Sequence, residues 1–332
     1  MNYSKQYLVY LKGFTARVLV IVSLTLTSCH SGLTPSTDNH QNDNQILFTS
    51  NRQNPPYPYQ LYVADQYGNN VRRLSHLVDS ISILWASWSP QMDHLAIVWN
   101  YYDIRAQEYP FLSIADSLGN FSRSLVSVSN FPVVWSPDEQ QVAYNFDGIN
   151  VVNVNSGSVR KVSSPRDTTY VVSDWSSDGS KFLAEALIID STNIIRQSDI
   201  VELDLSGNLL RQVVKTDSIL EYFARWSPNG RSIGVVYLRP GDYYSVHATG
   251  VYVVDSEGKN IVMVGPEVRT YADSSMYHFH VCWSPSSDKI GFSKSMRSFQ
   301  VKGINYIVNR DGTGQIHLFT QTSSIDWILD WR

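Results

Sequence analysis

Cysteine is almost missing from this chain. Only Cys29 and Cys282 occur in 332 residues, so no disulfide framework is available and stability has to come from packing. Charge is sparse as well: Asp, Glu, Lys and Arg make up 17% of the residues, and no basic run or stripe occurs. With a formal net charge of −4, the chain is poorly equipped to neutralise a phosphate backbone, which excludes nucleic acid as the expected partner. H-E-x-x-H, a phosphate-binding G-x-x-x-x-G-K and an EF-hand loop are all absent, and the one G-x-S-x-G, Gly230-Arg231-Ser232-Ile233-Gly234, begins in the WSPNG turn rather than in a strand-to-helix elbow. No linear motif therefore points to a catalytic residue, a metal or a cofactor, and none is expected.

Aromatic residues are plentiful by contrast, with 20 Tyr, 9 Trp and 12 Phe in a chain that is 43% hydrophobic. Such side chains suit a pleated, half-buried surface, so the composition favours strands. The length admits two average domains or one large all-β domain.

The first 28 residues stand apart from the rest. Lys5, Lys12 and Arg17 precede the apolar run VLVIVSLTLT from Val18 to Thr27, with no acidic residue among them. A run of about ten residues is too short to cross ~30 Å of hydrocarbon but suits the core of a signal peptide. It ends in Leu26-Thr27-Ser28-Cys29, which resembles the lipobox of bacterial lipoproteins. The resemblance implies cleavage after residue 28 and lipidation of Cys29. His30, rather than Asp, follows, and the sorting rules of that family then imply an outer membrane, with the side unspecified. Residues 29–44 are rich in Ser, Thr, Asn, Asp, Gly and Pro and are expected to be a flexible tether.

From residue 45 onward the chain repeats itself. A tryptophan at the end of an apolar run recurs in ILWASWSP (Trp88), FPVVWSPD (Trp135), VVSDWSSDG (Trp175), YFARWSPNG (Trp226), FHVCWSPSS (Trp283) and WILDWR (Trp331). Eight residues after the first five stand Ala96, Ala143, Leu183, Gly234 and Gly291. A constant offset means a hairpin of constant length, and Ser-Pro-Asp/Asn-Gly supplies its turn. Between the tryptophans lie second hairpins with an Asp/Asn-x-x-Gly turn, at Gly68, Gly119, Gly207, Gly258 and Gly312. The unit around Gly157 departs from this rule, with Val154 where the acid or amide belongs.

Four strands per unit and six units predict an all-β fold, a six-bladed β-propeller with four antiparallel strands per blade over residues 45–332. Trp88, Trp135, Trp175, Trp226, Trp283 and Trp331 are expected to pack between successive blades. QILFTSNR at 45–52 matches the strand that follows a Trp turn, and the chain stops where such a turn begins. The N-terminal strand should therefore complete the last blade and close the ring, removing the exposed sheet edges. Trp-Ser-Pro-Asp-Gly followed by an apolar strand, with ILFTSNR, QLYVAD and VRRLS, resembles the TolB-type propeller repeat over about residues 45–331. That resemblance implies a propeller acting in a cell envelope. TolB-type proteins also carry an α/β domain before the propeller, where this sequence has only the short tether.

The resemblance implies that the Trp strand is innermost, and the WSP and Asp-x-x-Gly turns then lie on one face of the disc and the longer connections on the other. Those connections include NRQNPPYPY (51–59), WNYYDIRAQEY (99–109), LRPGDYYSVHA (238–248) and GPEVRTYADSSMYH (265–278). Tyr, Trp and Arg concentrate at binding hot spots. The expected binding face therefore comprises Tyr57, Tyr59, Trp99, Tyr101, Tyr102, Arg105, Tyr243, Tyr244 and Tyr271, together with His278 and His280 at the channel. His278, His280 and Cys282 alternate along one strand and should share a face, but three neighbours on a straight strand cannot converge on one ion, so no metal site is expected. The functional expectation is a lipid-anchored, monomeric module that binds an envelope protein or peptide through the loop face and central channel. The alternative is a small-molecule hydrolase, lactonase or lyase with channel-facing groups drawn from several blades.

Overall fold

Every described segment of regular structure is a strand, and the strands assemble in consecutive groups of four. The structure, a computed structural model, describes residues 44–332 apart from 54–57, 76, 78–79, 102–108, 163–167, 193–194, 217–219, 241–245, 266–275, 297–303 and 321–323. The side chains of 130, 238–240, 246–249, 276–279 and 294–296 are likewise outside the description. So are the expected signal segment and residues 29–43 of the tether, Cys29 included.

The chain opens with β1 (Gln45–Ser50), β2 (Gln60–Asp65) and β3 (Arg72–Arg73). Blade 1 follows as β4 (Ile81–Trp88), β5 (His94–Tyr101), β6 (Phe111–Asp116) and β7 (Phe121–Ser127). Blade 2 holds β8 (Asn130–Trp135), β9 (Gln141–Asn145), β10 (Ile149–Asn153) and β11 (Val159–Lys161). Blade 3 holds β12 (Thr169–Trp175), β13 (Lys181–Ile189), β14 (Ile195–Asp204) and β15 (Leu209–Val214). Blade 4 holds β16 (Leu220–Trp226), β17 (Ser232–Pro240), β18 (Val246–Asp255) and β19 (Val262–Met263). Blade 5 holds β20 (Met276–Trp283), β21 (Lys289–Met296), β22 (Ile304–Asn309) and β23 (Ile316–Leu318). The last strand, β24 (Asp326–Trp331), pairs with β1, so blade 6 has the order β24-β1-β2-β3. The six Trp strands touch in cyclic order, β4, β8, β12, β16, β20, β24 and back to β4. The fold is thus a closed six-bladed propeller, as the repeats predict.

Closure is secured by paired groups at both ends of the β1–β24 seam. Gln45 and Arg332 exchange backbone hydrogen bonds at 2.5 and 3.0 Å. At the other end the Ile325 N–H donates to Asn51 Oδ1 at 2.8 Å, and the Arg52 guanidinium meets Asp326 at 3.0 Å. The same guanidinium lies 4.9 Å from the Phe48 ring, 5.0 Å from Tyr62 and 5.6 Å from Phe319, a cation–π cluster that also recruits the end of blade 5.

The repeated residues have identifiable tasks. In all five WSP-type turns the serine oxygen accepts the N–H five residues on, from His94, Gln141, Lys181, Ser232 and Lys289, at 2.9–3.1 Å. Glycine was expected to take the positive φ in these turns, and Gly179 and Gly230 do so, but Met92, Glu139 and Ser287 adopt it too. The serine staple holds the turn in either case. The glycine eight past Trp226 makes room for the next blade: a Cβ on Gly234 would lie 2.6 Å from Val281 Cγ1 and 3.4 Å from Trp283 Nε1. In the second hairpins Asp65, Asp116, Asp204 and Asp255 each accept two turn N–H groups at 2.7–3.0 Å. The irregular unit keeps this chemistry one residue earlier. Asn153 Oδ1 accepts from Asn155 and Ser156, and the Gly157 N–H reaches the Asn153 carbonyl at 2.8 Å across one extra residue.

Blades are latched by side chains at equivalent places. Ten residues past the tryptophans of blades 2, 3 and 5 stand Asn145, Glu185 and Ser293. They accept the N–H of Val172, Phe223 and Ile328 in the next inner strand at 2.8, 2.8 and 2.9 Å. In blade 1 that place holds Val98, and the residue of blade 2 that aligns with Val172, Phe223 and Ile328 is Pro132, which has no N–H to satisfy. A second latch runs from Asp174 to the Trp226 N–H and from Asp330 to the Trp88 N–H, both at 2.9 Å.

Candidate functional site

The tryptophans lie at the blade seams. Trp88, Trp135, Trp175, Trp283 and Trp331 are buried, and Trp226 is half-buried under Lys181 of the preceding blade. Trp135 and Trp283 donate their indole N–H back to the carbonyls of Ser87 and Arg225 in the preceding blade, at 3.3 and 3.0 Å.

The axis is filled. Trp85 on β4 meets the His280 ring edge-on at 4.2 Å and stacks at 6.0 Å on Phe131 of β8. His280 on β20 in turn packs 5.0 Å from Phe223 of β16 and 6.1 Å from Phe131. Blades 2 and 5 stand opposite each other in a six-membered ring, so their inner strands can meet only across its axis. Arg225 of blade 4 likewise reaches 5.9 Å from the Trp85 ring of the opposite blade 1, and it pairs with Asp174 at 3.3 Å. Burial, with the charge of Arg225 adding to it, pushes the His280 imidazole down to about 3. It is therefore a neutral ring packed among aromatics, and lies within the plug rather than on a binding rim.

His280 and Cys282 do not share a face as strict alternation would require. The ladder between β20 and β21 slips between Phe279 and Val281, and His280 takes a left-handed φ of 58°. A bulge of this kind re-aims every side chain beyond it. Cys282 consequently packs with Ile46, Ile307, Ile328 and Trp331, where burial raises its thiol far above the ordinary range. His278 lies on β20, with its side chain outside the described residues. No group of three or more His, Cys, Asp or Glu among the described residues is placed to hold a metal ion.

On the loop face the described aromatics gather over blades 1 and 2. Trp99 is half-buried across the outer part of its own sheet, with its Nε1 donating to Ser113 Oγ at 2.8 Å and its ring 5.2 Å from Phe111. Tyr101 stands edge-on above it at 5.5 Å and is 47% exposed. Tyr109 is 37% exposed and packs 5.2 Å from Phe146 of blade 2. Tyr59 is half-buried beside Ser82, whose Oγ accepts its N–H at 3.1 Å. Tyr57, Tyr102, Arg105, Tyr243, Tyr244 and Tyr271 lie outside the described residues.

Sequence reasoning missed the plug. Its signal was an alignment of the repeats on their tryptophans, which places Trp85, Phe223 and His280 at the same position, three residues before Trp88, Trp226 and Trp283. On the turn face, a cleft of about 380 Å³ between blades 1 and 2 was also not anticipated. Arg123 closes one side of it by donating to the carbonyls of Val154, Asn155 and Ser156.

These features define a closed propeller with an occluded axis and an aromatic loop face. Solved structures of the same architecture include TolB from Acinetobacter baumannii, with a TM-score of 0.62 and 18% identity, covering 87% of this chain and 66% of that one. A nidogen/laminin complex matches with a TM-score of 0.58 and 7% identity over 87% of this chain and 97% of its own. Kuenenia stuttgartiensis hydrazine synthase matches with a TM-score of 0.51 and 12% identity over 76% and 71%. At such identities the likeness is one of fold. No family model and no curated protein matches the chain.

Proposed function

We propose that this chain is a lipid-anchored bacterial envelope protein that acts as a monomer and binds a protein or peptide through the loop face of its propeller. The observation that carries the reading is the pair Tyr101 and Tyr109, 47% and 37% exposed, each seated on a half-buried aromatic layer. Rigid aromatic anchors on a fixed scaffold give large contact area at small entropic cost. The plugged axis favours the loop face over the channel as the place of contact. A TolB-like fold supports a protein-binding role, and the Leu-Thr-Ser-Cys sequence supports an anchor at Cys29 in an outer membrane.

A photo-crosslinking amino acid placed at 101 or at 109 is expected to trap a protein adduct in native membranes. The same group at Leu118, which is 64% exposed in a turn of the opposite face, should trap none. The double variant Tyr101→Ala/Tyr109→Ala should lose the partner, and equal adducts from both faces would refute the assignment. Separately, Cys29→Ser is expected to abolish labelling by a radioactive fatty acid and to release the protein from the membrane fraction.

A further inference from the structure

We propose that a cleft on the flank of blade 3 binds an aliphatic ammonium group, the chemistry carried by a lysine side chain or by a free alkylamine. The cleft has a volume of about 180 Å³, and its walls include Tyr170, Ala186, Ile188, Val201 and Gln212 with Asp199 among them. Asp199 is only 6% exposed. Its Oδ2 accepts from Gln197 Nε2 and Gln212 Nε2, both at 2.7 Å, which fixes the plane of the carboxylate. Its Oδ1 is buried and has no hydrogen-bond partner.

A carboxylate oxygen taken out of water without a donor is costly, and buried charges are ordinarily paired. Among the described residues no Lys or Arg pairs with Asp199. Its uncompensated charge is felt nearby: the Glu221 carboxyl is pushed up to about 7, by burial first and also by Asp199, against a hydrogen bond from Thr216. One donor directed at one oxygen would complete the site. A guanidinium prefers both oxygens of a carboxylate, and here Oδ2 is already occupied by the two amides, which selects a point-like ammonium instead. The apolar walls, with Ile188 45% exposed at the rim, suit the methylene stem behind such a head. The cleft is separate from the loop face of blades 1 and 2, so the two readings stand or fall independently.

The test is calorimetric titration of the full-length chain with n-pentylamine, n-pentanol and Nα-acetyl-lysine-N-methylamide. The amine is expected to bind saturably, and the alcohol at least tenfold more weakly. Asp199→Asn, which keeps the shape and the acceptor for the two glutamines, should weaken amine binding at least tenfold and leave the alcohol unchanged. Ile188→Lys, at an exposed position, should supply a tethered ammonium and abolish amine binding with no fall in melting temperature. Binding of the lysine derivative would identify a protein side chain as the ligand; binding of the simple amine alone would identify a small molecule. Absence of saturable amine binding, or equal affinity in wild type and both variants, would overturn the proposal.

Discussion

Asp330 accepts from its own strand at Trp331 N–H and from the next blade at Trp88 N–H, at 3.0 and 2.9 Å. Removing it leaves the Trp88 N–H buried with no acceptor at the seam that closes the ring. An orphaned buried donor costs roughly 1–3 kcal/mol, so Asp330→Ala should lower the thermal midpoint by that equivalent, read by circular dichroism. Glu185 does the same work between blades 3 and 4, and burial pushes its carboxyl up to about 7 against the hydrogen bonds from Phe223 and Ser173. Because the folded state holds this proton more tightly than an unfolded glutamate near 4.5 does, the group stabilises fully below about pH 4.5. That contribution is lost as pH rises through about 7. Melting temperature should therefore fall between mildly acidic and mildly alkaline pH. Glu185→Gln, which retains an acceptor for the Phe223 N–H, should flatten that slope, and an unchanged slope would refute the assignment.

Single elements show which parts of the repeat matter. The staple by Ser136, whose oxygen accepts the Gln141 N–H at 2.9 Å, recurs in every WSP turn, whereas the glycine does not. Ser136→Ala is expected to cost about 1 kcal/mol, measured by denaturant unfolding. The hairpin of blade 2 was legible only in part: Val154 looked like a lost acid, yet Asn153 performs the acid's task once an extra residue is inserted. Sequence spacing alone does not distinguish a missing group from one displaced by a residue. Strand β24 carries the largest element-level effect. Deleting residues 326–332 removes an inner strand, the Arg52–Asp326 pair and the partner of β1 together, and it exposes an unpaired edge. The truncated chain should melt far below the full chain or aggregate, and equal midpoints would contradict a closed ring.

Across the whole molecule, the aromatic plug ties four of the six inner strands together at the axis. Trp85 is 1% exposed and touches residues of other blades, so Trp85→Ala should open a cavity on the axis. Large-to-small changes of this kind cost about 3–5 kcal/mol, and the strand signal in circular dichroism should persist below the lowered midpoint. Because blades 2 and 5 meet there through Phe131 and His280, the effects of Trp85→Ala and Phe131→Ala should not add. Additive losses would mean that the aromatics act as separate seams rather than as one cluster.

The blade count, the strand pairs, the closing strand and all but one of the turns were legible in the sequence. Each rests on a local period, a tryptophan about every fifty residues and an aspartate turn between, and local periods survive in one dimension. Only the tertiary structure decided what fills the axis and how blades hold each other. Trp85, Phe131, Phe223 and His280 are distant in the chain and converge because six inner strands point at one line. The divergence of His280 from Cys282 was hidden for a related reason. The same slip recurs just before the tryptophan in the inner strands of blades 1, 3, 4 and 5, and nothing in the alternation of a single strand records it.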